Sequence, residues 1–144
     1  MKAINAGRWL IPLLGFAGAW SVAVAQDVVL VANKSVQIVE IRVADVRGIF
    51  TGEKTRFSDG SRAVPVILKG GATNEVFLKN YCGESPDEFR AQWRKAVFTG
   101  HGAMPRAFVS ESELIEYVAA TPGAVGYVSR LSAQAKVKSL TPLK

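Results

Sequence analysis

The sequence predicts an α/β domain in which helices cover a mixed sheet. Three observations predict it. Residues 27–32, apolar after Asp27, and residues 64–68 are short runs rich in β-branched side chains, as in strands buried on both faces. Segments with apolar residues at helical spacing lie between and after them. Two of those segments open on strong helix starts, at Ser85 and Ser110, where a capping serine precedes a glutamate three positions on.

The first part of the 144-residue chain reads as a leader rather than as fold. Lys2 and Arg8 give it a positive start, residues 9–20 are apolar, and Ala23-Val24-Ala25 supplies small residues at the positions a signal peptidase reads. This is the pattern of a secretory signal peptide over residues 1–25, cleaved after Ala25. A membrane anchor is the alternative, but the apolar stretch is short and interrupted by glycine, proline and serine, whereas a spanning helix needs about 20 apolar residues. Residues 26–144 then form one domain of ordinary size.

Along that domain, residues 27–32 are the first strand and Asn33-Lys34-Ser35 a turn. Residues 36–41 are apolar-rich but ambiguous. Val43, Val46 and Phe50 then fall on one helix face, and Gly52 stands where a helix-ending glycine belongs. Residues 53–63 are polar, with a turn at Asp59-Gly60, before the second strand at 64–68. "KGGATNEVF", residues 69–77, is a glycine turn running into a helix whose face carries Val76, Phe77 and Tyr81. Ser85-Pro86-Asp87-Glu88 starts the next helix, with Phe89, Trp93, Ala96 and Val97 at core spacing. Residues 99–106 read as a loop, and residues 110–113 as the start of a helix that Thr121-Pro122-Gly123 stops. Residues 124–128 are the third strand and residues 137–140 a short fourth. Strands and helices in this order predict a layered α/β arrangement.

Charge and composition exclude several classes. The chain has 18 basic and 12 acidic side chains without a basic run, which argues against a nucleic-acid face and supports at most a mild preference for anions. Cys82 is the single cysteine, so no internal disulfide forms, though a bridge between two chains is conceivable. With His101 as the single histidine, a tetrahedral N/S zinc site is not expected. No cofactor motif is present. Cys82 with His101 is the one pairing that would suggest an enzyme, and no adjacent motif supports it. We therefore expect a non-enzymatic protein with a buried thiol and a solvated histidine.

The turn at residues 69–77 is the best candidate for a site. Free N–H groups at a helix start favour an anion. The candidate ligand groups in the turn are Lys69, Gly71, Ala72, Thr73 and Asn74; Thr73 can donate its hydroxyl and Lys69 can supply charge. The competing expectation is that Thr73 or Asn74 simply caps the helix. Arg106, beside Pro105, is placed to point a guanidinium at the same ligand. Ser129 and Arg130 follow the third strand, where α/β folds gather ligands.

Three stretches resemble a known family. "ADVRGIFTGEKTRFSDG", "FLKNYCGESPDEFRAQWRKAVFTGHGAMP" and "TPGAVGYVS" are similar, in that order, to segments of the phosphate-type periplasmic solute-binding proteins. Those proteins carry two α/β lobes around a cleft, and this chain holds enough for one. The resemblance implies one lobe of the type II periplasmic-binding-protein fold. It implies a periplasmic protein that takes a small oxyanion, phosphate or sulfate, and meets a membrane transporter or sensor protein. Because a lone lobe offers half a cleft, a homodimer is a further expected partner. A second outcome is a lobe that has lost its ligand and serves as an interaction module. Counting back from Phe77, Thr73 matches the threonine of the family's serine-glycine-threonine turn, Ala72 the glycine and Gly71 the serine. Lys69 falls where the family has an acidic residue. The turn thus keeps one hydroxyl and exchanges an acid for a base.

Overall fold

The computed structural model of the protein describes residues 27–144. The leader read over residues 1–25 lies outside the described residues. In chain order the elements are β1 (Val28–Ala32), β2 (Glu40–Arg42), α1 (Val43–Thr51), β3 (Val64–Leu68), α2 (Ala72–Phe77), α3 (Pro86–Phe98), β4 (Arg106–Phe108), α4 (Glu111–Ala120), β5 (Ala124–Ser129) and β6 (Lys138–Leu143). Helix α2 continues into a π-helical turn, Leu78–Cys82. No described helix is long and apolar enough to cross a membrane.

The six strands form one mixed sheet in the order β2-β6-β1-β5-β3-β4. Strands β3, β4 and β5 run parallel, so their carboxyl ends share one edge. Strand β1 is antiparallel to both of its neighbours, β5 and β6. Central position explains why β1, β3 and β5 lack alternation: Val31, Val66 and Val128 are each fully buried.

Where local chemistry is strong, expectation and structure coincide. Ser85 accepts a hydrogen bond from the Glu88 amide at 3.2 Å, and Ser110 from the Glu113 amide at 3.1 Å, so both predicted caps form. Gly52 ends α1 at φ +85°, and a Cβ there would come within 2.8 Å of the Trp93 ring. Trp93 in turn donates from Nε1 to the Phe50 carbonyl at 3.0 Å, which ties α3 to the end of α1.

Two strands differ from expectation. The loop read over residues 99–106 ends early, because Arg106–Phe108 forms β4 against β3. The ambiguous stretch at 36–41 yields only the short β2. Both are three-residue edge strands, too short for a periodic signal and held by their partner's ladder.

A small aromatic cluster fills the space between the sheet and α2. Phe77 stacks on Tyr127 with centroids 3.8 Å apart, and Phe50 meets Phe77 edge-on at 4.8 Å. On the other face α4 lies close against β5 at Gly126, where a Cβ would sit 2.9 Å from Leu114 and 3.0 Å from Val66.

Candidate anion site

The predicted turn lies at the carboxyl end of β3. Lys69 donates its amide to the Phe108 carbonyl at 2.8 Å, the last bond between β3 and β4. The chain then turns through Gly71 at φ +94°, a region that favours glycine. The first helical bond runs from the Glu75 amide to the Gly71 carbonyl at 3.1 Å. Among the described residues, the amides of Gly70, Gly71, Ala72, Thr73 and Asn74 have no acceptor, and the Thr73 hydroxyl has no partner. Four unpaired amides are normal at a helix start; here no side chain takes any of them.

The capping expectation for Thr73 or Asn74 is therefore corrected: no side chain caps α2. Asn74 turns inward instead. Its Oδ1 accepts from the Tyr127 hydroxyl at 2.5 Å, and that hydroxyl accepts from the Leu68 amide at 3.0 Å. Tyr127 is fully buried. Burial raises its phenol pKa, so the hydroxyl stays neutral and serves both neighbours. This relay forms the floor of the turn and fixes the start of α2 against β5.

Above the floor is a depression of about 370 Å³, lined by Leu68, residues 70–73 and residues 109–111. Here the starts of α2 and α4 meet the ends of β3 and β4, the edge where parallel sheets present ligands. Gly71, Ala72 and Thr73 line it, and Lys69 is exposed beside it without an ion pair among the described residues.

The structure does not bring Arg106 to this depression. Arg106 pairs with Val66, two positions before the end of β3, about 7 Å back along the strand. Its guanidinium lies 5.0 Å from the Tyr117 ring centre and 5.8 Å from that of Phe108, a cation–π arrangement. The expectation that it points at the turn is replaced by this stacking.

Ser129 is at the expected strand end, but its donors are already in use. Its amide donates to Glu111 Oε1 and its hydroxyl to Glu111 Oε2 at 3.3 Å. Ser132 donates to the same Oε2 at 3.2 Å. Arg130 pairs outward with Asp27. Glu111 was not a candidate from sequence, where it reads as an ordinary acidic residue in a first helical turn. A contact between residues 18 apart leaves no local signal.

The remaining candidates are quiet. Cys82 is buried, and burial together with the nearby Glu84 charge pushes its thiol up to about 12. At neutral pH it holds its proton and is no nucleophile. His101 is exposed, with Nδ1 2.9 Å from the Thr99 hydroxyl. Among the described residues the two share no hydrogen bond, and no three His, Cys, Asp or Glu side chains gather as a metal site. A larger depression, about 570 Å³, lies between Asp27, Tyr81 and Lys144 at the same end of the sheet, since Val28 pairs with Ser129 at the end of β5.

No protein-family model matches the chain, and no curated protein matches it. Solved structures do. One is a phosphate ABC transporter substrate-binding protein with bound phosphate from Clostridium perfringens, with a TM-score of 0.62 at 14% identity over 80% of this chain and 44% of that one. A second is PstS from Borrelia burgdorferi, TM-score 0.58 at 16% identity, over 80% and 46%. A third is an ABC-type phosphate transport receptor from Vibrio cholerae, TM-score 0.54 at 16% identity, over 80% and 45%. Such identities speak to fold. The matched share of each is the extent that a single lobe would give. By its fold, the chain is a shorter structural relative of the phosphate-type solute-binding proteins, spanning less than half of their length.

Proposed function

We propose that the chain is an exported, non-enzymatic oxyanion-binding protein, the substrate-binding component or an accessory of an ABC-type phosphate uptake system. One observation carries this reading: the unpaired amides of residues 70–74 stand with the Thr73 hydroxyl at the shared end of the parallel strands, directly after the exposed Lys69. Backbone amides and a hydroxyl are what oxyanions seek, and Lys69 adds attraction without fixed geometry. Phosphate or sulfate is the ligand class. The site is open on one side, so a second copy of the chain or a membrane transporter or sensor supplies the other wall. Cleavage after Ala25 delivers residues 26–144 to the periplasm, which the mass of the exported protein would check.

Isothermal titration of residues 26–144 with phosphate and sulfate, repeated on Thr73→Val, tests the reading. Heat from the wild type that weakens in the variant supports it. No heat with either anion removes it.

A second reading, a periplasmic interaction module without a small ligand, is favoured by a different surface. Phe98 is 92% exposed at the end of α3, and the exposed Val97 before it lines a shallow surface with Met104, Arg90 and Arg94. Such a patch suits docking on a transporter or sensor. Under this reading both anions are silent, and Phe98→Ser weakens capture by that partner.

A further inference from the structure

Glu111 is the first residue of α4 and lies on the wall of the depression facing residues 70–73. Its two carboxylate oxygens receive three donors from elsewhere in the chain: the Ser129 amide, the Ser129 hydroxyl and the Ser132 hydroxyl. The two hydroxyls are themselves 3.2 Å apart. One amide and two hydroxyls converging on a pair of oxygens is the donor set of an oxyanion site, and the oxyanion in it is a side chain. Both serines and the glutamate are partly buried, with Ser129 at the end of β5 and Ser132 in the turn after it.

The charge state of that side chain matters as much as its bonds. Among the described residues no cation pairs with Glu111. Asp45 provides the contrast: Arg42 and Lys54 both bind its carboxylate. Glu111 is held only by neutral donors and by the amino end of α4. Its negative charge is therefore bonded but not cancelled, and it stands across a small depression from the amides of residues 70–73. A like charge at such range acts on any anion that enters, and acts about twice as strongly on one carrying two charges.

We propose that Glu111 is a tethered occupant of a second oxyanion seat, and that it sets which free anion the depression accepts. This rests on the reading of residues 69–74 as the site of the free anion. With Glu111 in place, the depression takes a singly charged oxyanion in preference to a doubly charged one. When the carboxylate is removed, the Ser129 and Ser132 donors become a seat for a free oxyanion.

The test uses the wild type, Glu111→Ala and Glu111→Gln, each checked for a native melt. Each is titrated with phosphate, sulfate and acetate by calorimetry while the Ser129 amide is followed by nuclear magnetic resonance. In Glu111→Ala, phosphate and sulfate bind about tenfold tighter than in the wild type, and the Ser129 amide shifts on titration. In the wild type that amide does not move. Glu111→Gln keeps an acceptor in the seat and loses the charge, so its preference for sulfate over acetate rises about threefold or more. If the wild type binds phosphate and both variants bind it equally well, the turn is an anion site and the Glu111 inference falls. If the wild type binds nothing while Glu111→Ala gains an anion at Ser129, the second seat stands and the turn reading falls. No response at Ser129 in Glu111→Ala with any of the three anions overturns the inference outright. Should Glu111→Ala fail to fold, an unchanged sulfate-to-acetate ratio in Glu111→Gln does the same.

Discussion

The ends of β3 and β5 lie at the same edge of the sheet and offer the same chemistry, a backbone amide beside a hydroxyl, yet the chain treats them oppositely. After β3, residues 70–74 keep their amides unpaired and Thr73 its hydroxyl. After β5, Glu111 takes the Ser129 amide and hydroxyl together with Ser132. The difference teaches that position at a strand's carboxyl end does not by itself make a binding group. What decides is whether a neighbouring helix start brings a carboxylate of its own. Helix α4 does, through Glu111, while α2 begins with Ala72 and no side chain, its first-turn Glu75 included, caps its start.

The comparison depends on a rigid floor, and breaking the floor has the largest effects. Gly126→Val would drive a side chain into Leu114 and Val66. It should cost about 3 kcal/mol of stability, read from denaturant unfolding, since overpacking of a tight core costs ~1–3 kcal/mol or more. Tyr127→Phe comes next. It leaves the buried Leu68 amide and Asn74 Oδ1 without their shared partner, and a loss of about 2 kcal/mol is expected for a buried unpaired group. Anion binding should weaken in the same variant, because the start of α2 loses its tie to β5.

Two milder changes sharpen the contrast. Asp45 shows what cations do for a buried carboxylate: the Lys54 hydrogen bond, with Arg42 assisting against burial, holds its pKa below the ordinary 3.8. Its contribution is complete above that ordinary value and is lost as pH falls through the lowered folded one. Thermal melts between about pH 5 and about pH 2 should therefore fall more steeply for wild type than for Asp45→Asn. The smallest stability effect belongs to Thr73→Val. Its hydroxyl has no partner among the described residues, so stability should change by less than about 1 kcal/mol while oxyanion affinity drops.

The sequence made the frame legible because the frame is written locally. Uninterrupted apolar runs mark β1 and β3, and serines with a glutamate three positions on mark the starts of α3 and α4. The turn at Gly71 was legible for the same reason. Pairings at a distance were not. Asn74 reads as a cap or a ligand until Tyr127, 53 positions later, claims it. Arg106 reads as a loop arginine until β3 recruits it into an edge strand and Tyr117 receives its guanidinium. Glu111 and Ser129 each look unexceptional until the fold sets them side by side.

The placement of β1 carries a consequence for how the molecule comes into being. Its partners are residues 125–129 on one side and 138–140 on the other, so the earliest strand of the described chain waits for the latest two. Bringing such distant segments together is entropically slow. A nascent polypeptide of this design cannot pair β1 on both sides until residues 138–140 have been made, so completion of the sheet falls at the end of synthesis.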